Sequence, residues 1–158
     1  MATPIPLTKE GYDELKEELR RLRSEERPRV IEDIATARAH GDLSENAEYA
    51  AAREKQGFIE GRIADLEDKL GRAQVVDSSG QNGDQVRFGA FVTVSDENSG
   101  EEKTYRIVGD LEANISKNKI SLSSPIAKAL LGKRVDETVQ VQAPKGTIEY
   151  VIMEVRYL

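Results

Sequence analysis

The sequence predicts an α+β protein. An N-terminal antiparallel helical hairpin of coiled-coil character covers residues 1–76, and a small, mainly antiparallel β domain with one short helix covers residues 77–158. Three observations predict it. Apolar residues in the first half recur in steps of three and four, the spacing of a coiled-coil seam. At Gly41 the pattern stops and then restarts, as it does at a turn between two helices. Beyond the polar stretch Asp77–Asp84 the period changes to two, the period of strands.

Composition narrows the function classes. The 158 residues include no cysteine, so disulfides and thiolate metal sites are excluded. The single histidine, His40, excludes any site needing several imidazoles. A net charge of −6 argues against sequestering naked nucleic acid as a main activity. No apolar run approaches the roughly 20 residues of a membrane span, and the polar start Met1-Ala2-Thr3-Pro4 does not read as a signal peptide. The expectation is a soluble cytoplasmic protein.

The first arm begins after Thr8, a candidate N-cap, and its stripe runs Tyr12, Leu15, Leu19, Leu22. The stripe returns at Val30, Ile34 and Ala37, one residue late. Pro28 removes a backbone donor, which predicts a kink or phase shift rather than an end. From Thr8 to His40 such an arm measures about 48 Å. The second arm reads Leu43, Ala47, Ala50, Ile59, Ile63, Leu66, Leu70 and Ala73. In the second half the candidate strands are residues 85–88, 91–95, 104–108, 119–122, 138–142 and 147–155, with hairpin loops at Asp96–Gly100 and Ala143–Gly146. Ser124 as cap and Pro125 at the first helical position start the short helix, which Gly132 stops.

Asp42, Glu45 and Glu48 recur every third residue at the hairpin tip, a spacing that would gather them on one helical face. Asp42 and Glu45 form a capping box, which accounts for two of the three. The alternative is a metal half-site, because carboxylate oxygens are the donors that Mg²⁺ accepts. Arg38 and Arg53 flank the tip on opposite arms, either as surface charge or as guides for a nucleic-acid end. His40 reads first as a turn residue.

The motif His40-Gly41-Asp42-Leu43-Ser44-Glu45-Asn46-Ala47-Glu48-Tyr49, followed by Ala51-Ala52-Arg53-Glu54-Lys55-Gln56-Gly57-Phe58, resembles the tip of bacterial Gre-family transcript cleavage factors. A second motif, running from Ser121-Leu122-Ser123-Ser124-Pro125-Ile126 to Leu131-Gly132-Lys133, resembles the C-terminal signature of that family. The resemblance implies an FKBP-like second domain that grips the rim of the secondary channel of bacterial RNA polymerase, with Asp110, Ser124 and Pro125 as polymerase-binding residues. It implies that the coiled coil enters the channel, where Asp42 and Glu45 act in catalysis by helping to hold a Mg²⁺ shared with polymerase. Arg38 and Arg53 would meet the nascent RNA 3′ end. The chain would then stimulate the polymerase's own endonuclease, without being an enzyme itself, and would be a monomer when free. A channel-binding inhibitor with the same fold is the first alternative. A prolyl isomerase is a second, with only Phe88, Phe91, Tyr105 and Tyr150 to wall a proline pocket. A purely structural coiled-coil adaptor is a third, and it leaves the acidic tip unexplained.

Overall fold

The computed structural model describes residues 3–42, 46–78 and 83–157, and the chain divides into two compact units. One comprises Met1–Thr3 and Tyr12–Ala73, the other Pro4–Gly11 and Gln74–Leu158.

In the first unit the leading arm is α1 (Lys9–Arg21), a π-helical turn (Leu22–Glu26) and α2 (Arg27–Arg38). The returning arm is α3 (Ala47–Gly71), whose 25 residues extend about 37 Å. Leu19, Val30, Ile34 and Ala37 face Ala52, Ile59, Ile63 and Leu66 in a buried seam, with Leu15, Leu22 and Leu70 at its edges. Ion pairs cross the seam: Glu18–Arg62 at 2.6 Å, Arg23–Glu67 at 2.8 Å and Arg27–Glu60 at 2.8 Å. These pairs are solvated and screened, so the apolar seam supplies most of the stability.

The shift expected at Pro28 takes the form of the π turn. The Arg27 N–H donates to the Leu22 carbonyl, five residues back. Leu22 and Val30 are eight residues apart where a heptad allows seven, and the wider turn absorbs the additional residue. Pro28 has no N–H to complete the competing α-helical bond, which favours that solution.

One reading of the second arm is corrected. Ala47 and Ala50 are exposed, and the seam near the tip passes instead through half-buried Tyr49, buried Ala52 and half-buried Gln56. With Ile59, Ile63, Leu66 and Leu70 these make an unbroken 3-4 repeat. The alanine run offered several equivalent stripes, and the polar Gln56 concealed the true one. Leu43 lies outside the described residues.

In the second unit β1 (Ile5–Thr8) and β2 (Ala73–Val76) form a two-stranded sheet. The Thr8 hydroxyl accepts the Gly11 N–H at 3.0 Å, the capping role expected of it. The strands β3 (Phe91–Asp96), β4 (Glu102–Val108), β5 (Lys119–Ser121), β6 (Thr138–Ala143) and β7 (Gly146–Arg156) form a five-stranded sheet in the order β5-β4-β3-β7-β6. Every pair is antiparallel except β4 with β5. Helix α4 (Pro125–Leu130) covers the core face, where Val92, Val94, Ile107, Ile120, Ala127, Leu130 and Ile152 are buried. The strand expected over 85–88 reduces to one bridge, Gln85 to Arg134. Val86 is bonded on both sides to the segment after α4, through Val86 N–H to Lys133 at 2.7 Å and Gly132 N–H to Val86 at 2.8 Å.

Glu112 fastens β1 to the end of β4. Its carboxylate accepts the Thr8 N–H at 2.9 Å, the Gly109 N–H at 3.0 Å and the Thr8 hydroxyl. Gly109 lies so close to β1 that a Cβ there would stand 2.0 Å from the Pro6 carbonyl oxygen.

Candidate functional site

At the hairpin end α2 unwinds through bonds that tighten the last turn: His40 N–H to Ala37 at 3.1 Å and Gly41 N–H to Arg38 at 3.3 Å. Gly41 has φ +110°, a conformation that a side chain would oppose, so the chain reverses there. Asp42 follows, exposed and non-helical. The N-cap of α3 is Asn46, whose side chain accepts the Tyr49 N–H at 3.0 Å and donates to the Ala37 carbonyl at 2.7 Å.

This corrects the geometry expected of the acids. Asp42 precedes the cap and lies off the helix, so the three-residue spacing does not set it on a helical face with Glu48. The capping role expected of Asp42 falls to Asn46. Glu45 lies outside the described residues. Glu48 is in the first turn of α3, with Oε2 3.2 Å from His40 Nδ1. His40 therefore partners an acid across the turn, which the sequence showed only as proximity.

The flanks of the hairpin differ in charge. One shallow groove is lined by Ile31, Ile34, Ala35, Arg38, Arg53 and Gln56, so both expected arginines border the same surface. The Arg38 guanidinium lies 5.8 Å from the centre of the Tyr49 ring, and Arg53 donates to Gln56 at 3.2 Å. A second groove is lined by Asp33, Thr36, Glu48, Ala51, Ala52 and Lys55. Two cations without a lining carboxylate suit a phosphate, whereas the mixed groove does not.

In the second unit Asp110, Ser124 and Pro125 come together through two serines. Asp110 accepts hydrogen bonds from the Ser121 hydroxyl and, at 2.9 Å, from the Ser123 hydroxyl. The bond from Ser121, then that from Ser123, holds its carboxyl below the usual carboxylate range. Ser124 caps α4 by accepting the Ala127 N–H at 3.3 Å, and its hydroxyl donates to the Ser121 carbonyl at 2.7 Å. Pro125 is exposed beside them. Ser121 and Ser123 were missed as site members; the run Ser121-Leu122-Ser123-Ser124 was the available signal. An apolar groove borders this cluster, with Ala113, Ile115, Ile120 and Ile126 in its wall.

Among the described residues no group of three or more His, Asp or Glu is placed to hold a metal ion, and no helix is long and apolar enough to cross a membrane.

Comparison with known proteins covers nearly the whole chain. Residues 5–75 match the family described as transcription elongation factor, N-terminal, and residues 81–157 match transcription elongation factor, GreA/GreB, C-term. A Trichlorobacter lovleyi protein named transcription elongation factor GreA is 59% identical over 157 residues, covering 99% of each chain. Proteins of the same name from Pelobacter propionicus and Caulobacter vibrioides are 57% and 55% identical, covering 99% and 98% of each chain.

Proposed function

Because the chain belongs to the GreA/GreB family of transcription elongation factors, we propose that it rescues stalled bacterial RNA polymerase by stimulating the polymerase's own cleavage of backtracked RNA. The hairpin enters the secondary channel, and the second unit docks at the channel rim through Asp110, Ser124 and Pro125. The observation that carries this reading is the exposed Asp42, held outside any helix at the hairpin end between Gly41 and the Asn46 cap.

Asp42 and Glu45 would hold Mg²⁺ there together with carboxylates of polymerase. The donor chemistry fits: oxygen donors suit this hard cation, and their small number suits an ion that a partner completes. When bound, the ion supplies charge stabilisation at the scissile phosphate and a more acidic attacking water. The chain itself contributes position. Asn46 fixes the distance between the arms, which sets where Asp42 stands. Arg38 and Arg53 offer paired positive charge to the RNA 3′ end along one flank, away from Glu48 and Asp33. On this reading the chain completes an active site in polymerase and has no turnover alone. The test is RNA cleavage by stalled polymerase with the factor added, sized by gel. Cleavage that depends on the factor supports the reading, and unchanged RNA contradicts it.

A further inference from the structure

One face of the five-stranded sheet carries a row of cations that the linear sequence scatters. Lys119 on β5 is register-paired with Arg106 on β4, Arg106 with Phe91 on β3, and Phe91 with Arg156 on β7. Four strands therefore contribute Lys119, Arg106, Phe91 and Arg156 in one line across the sheet. Three inter-strand steps of about 4.8 Å give the row a span on the order of 14 Å. Lys117, Asn118 and Thr104 complete the lining of a groove over it, and that lining contains no carboxylate.

The row costs stability, since like charges directly opposite on neighbouring strands repel. The fold holds it in place nonetheless. The Phe91 ring carries Arg106 at 4.8 Å and Arg156 at 5.3 Å from its centre. Arg106 is 7% exposed, donates to the Gly89 carbonyl at 3.3 Å and pairs with Glu10 at 2.9 Å, so Glu10 offsets it. Arg156, Lys117 and Lys119 have no ion-pair partner among the described residues. Glu154, two residues before Arg156 and opposite Thr93, is the nearest acid along β7.

We propose that this face binds the sugar-phosphate backbone of duplex DNA, without reading sequence. Phosphate contacts need only placed cations, which Lys117, Lys119 and Arg156 supply. The span of the row is close to the roughly 12 Å width of the major groove, so its ends reach phosphates on both strands. A single strand is disfavoured because its binders stack bases on open aromatic faces, and here guanidinium groups lie against Phe91. An acidic protein partner is disfavoured because strong protein interfaces centre on an apolar or aromatic anchor, and the Phe91 ring in this lining is already covered by the Arg106 and Arg156 guanidinium groups. The inference stands apart from the function proposed above, since none of its residues belongs to the tip or to the Asp110 cluster.

The experiment is amide chemical-shift mapping of the full chain at low salt, titrated in turn with a short mixed-sequence duplex DNA, a single-stranded RNA of the same length and polyglutamate. The expected result is saturable shifts at Phe91, Arg106, Asn118, Lys119 and Arg156 with duplex DNA, weaker shifts with RNA and none with polyglutamate. Three phosphate contacts give a log–log salt slope about 3 in magnitude and negative, a magnitude that Lys119→Glu with Arg156→Glu lowers by about 2 units. Lys117→Glu lowers it by about 1 unit and provides a second variant should the double one fail to fold. Absence of shifts on this face, equal shifts with polyglutamate, tighter binding of single-stranded RNA, or full binding by folded charge-reversed variants overturns the proposal.

Discussion

The Asn46 side chain donates to the Ala37 carbonyl at 2.7 Å, bonding the cap of one arm to the last buried residue of the other. The same side chain accepts the Tyr49 N–H. Asn46→Ala removes both bonds. The cap contributes about 1 kcal/mol and the cross-arm bond about another. Thermal unfolding of the variant should begin several degrees lower, and hydrogen exchange should accelerate at His40, Gly41 and Tyr49 first. Unchanged exchange at those amides contradicts the assigned role.

Acid should loosen the hairpin. The Arg62 hydrogen bond holds the Glu18 carboxyl below its usual range against the opposing effect of burial, and the Arg27 hydrogen bond does the same for Glu60. A carboxyl with a depressed folded pKa adds stability above its unfolded pKa and loses it as pH falls through the folded value. Helical signal should therefore weaken as pH drops below about 4, and high salt should blunt the effect because these pairs are solvated. In Arg62→Ala the decline should be shallower.

The attachment of β1 depends on Gly109 and Glu112. Gly109→Ala sets a methyl group against the Pro6 carbonyl and displaces the strand, whereas Glu112→Ala leaves the Thr8 and Gly109 N–H groups without their acceptor. Each should destabilise the second unit by about 1–3 kcal/mol, and Glu112→Gln, which keeps one acceptor oxygen, by less. Denaturant melts followed at the Tyr105 and Tyr150 resonances check this.

The π turn makes a prediction about length. Deleting Ser24 leaves seven residues from Leu22 to Val30, as a heptad requires, so the turn should revert to α-helix. The deletion should be tolerated, with the Glu18–Arg62 and Arg27–Glu60 pairs both retained in a crystal structure. Loss of either pair contradicts the phase argument.

These cases show what the sequence could reveal. The two arms, their reversal at Gly41, the phase shift near Pro28 and the strands of the main sheet all follow from periods and turn residues, which are local properties. β1 is four residues long and abuts a helix, too short for alternation to register. The seam at Ala52 was obscured because three successive alanines fit any stripe. Asn46 was overlooked as cap because Asp42 and Glu45 formed the more conspicuous capping box. Ser121 and Ser123 join Asp110 only through tertiary contact, and the Lys119-Arg106-Phe91-Arg156 row exists only once strand order and register are fixed. Asp42, Arg38 and Arg53 were named from their places in the chain; that the two arginines share a groove was not legible there.

The central claim is that the tip carboxylates act within polymerase, and the most direct measurement is the rate of RNA cleavage in stalled complexes at saturating factor. Asp42→Ala and Glu45→Ala should each lower the stimulated rate at least ~100-fold, the scale of losing a group that stabilises the transition state. Competition against wild-type factor should show nearly unchanged binding to polymerase. Raising Mg²⁺ should partly restore either single variant, because a lost ligand weakens occupancy. Cleavage at the wild-type rate by either variant, with binding intact, contradicts the assignment.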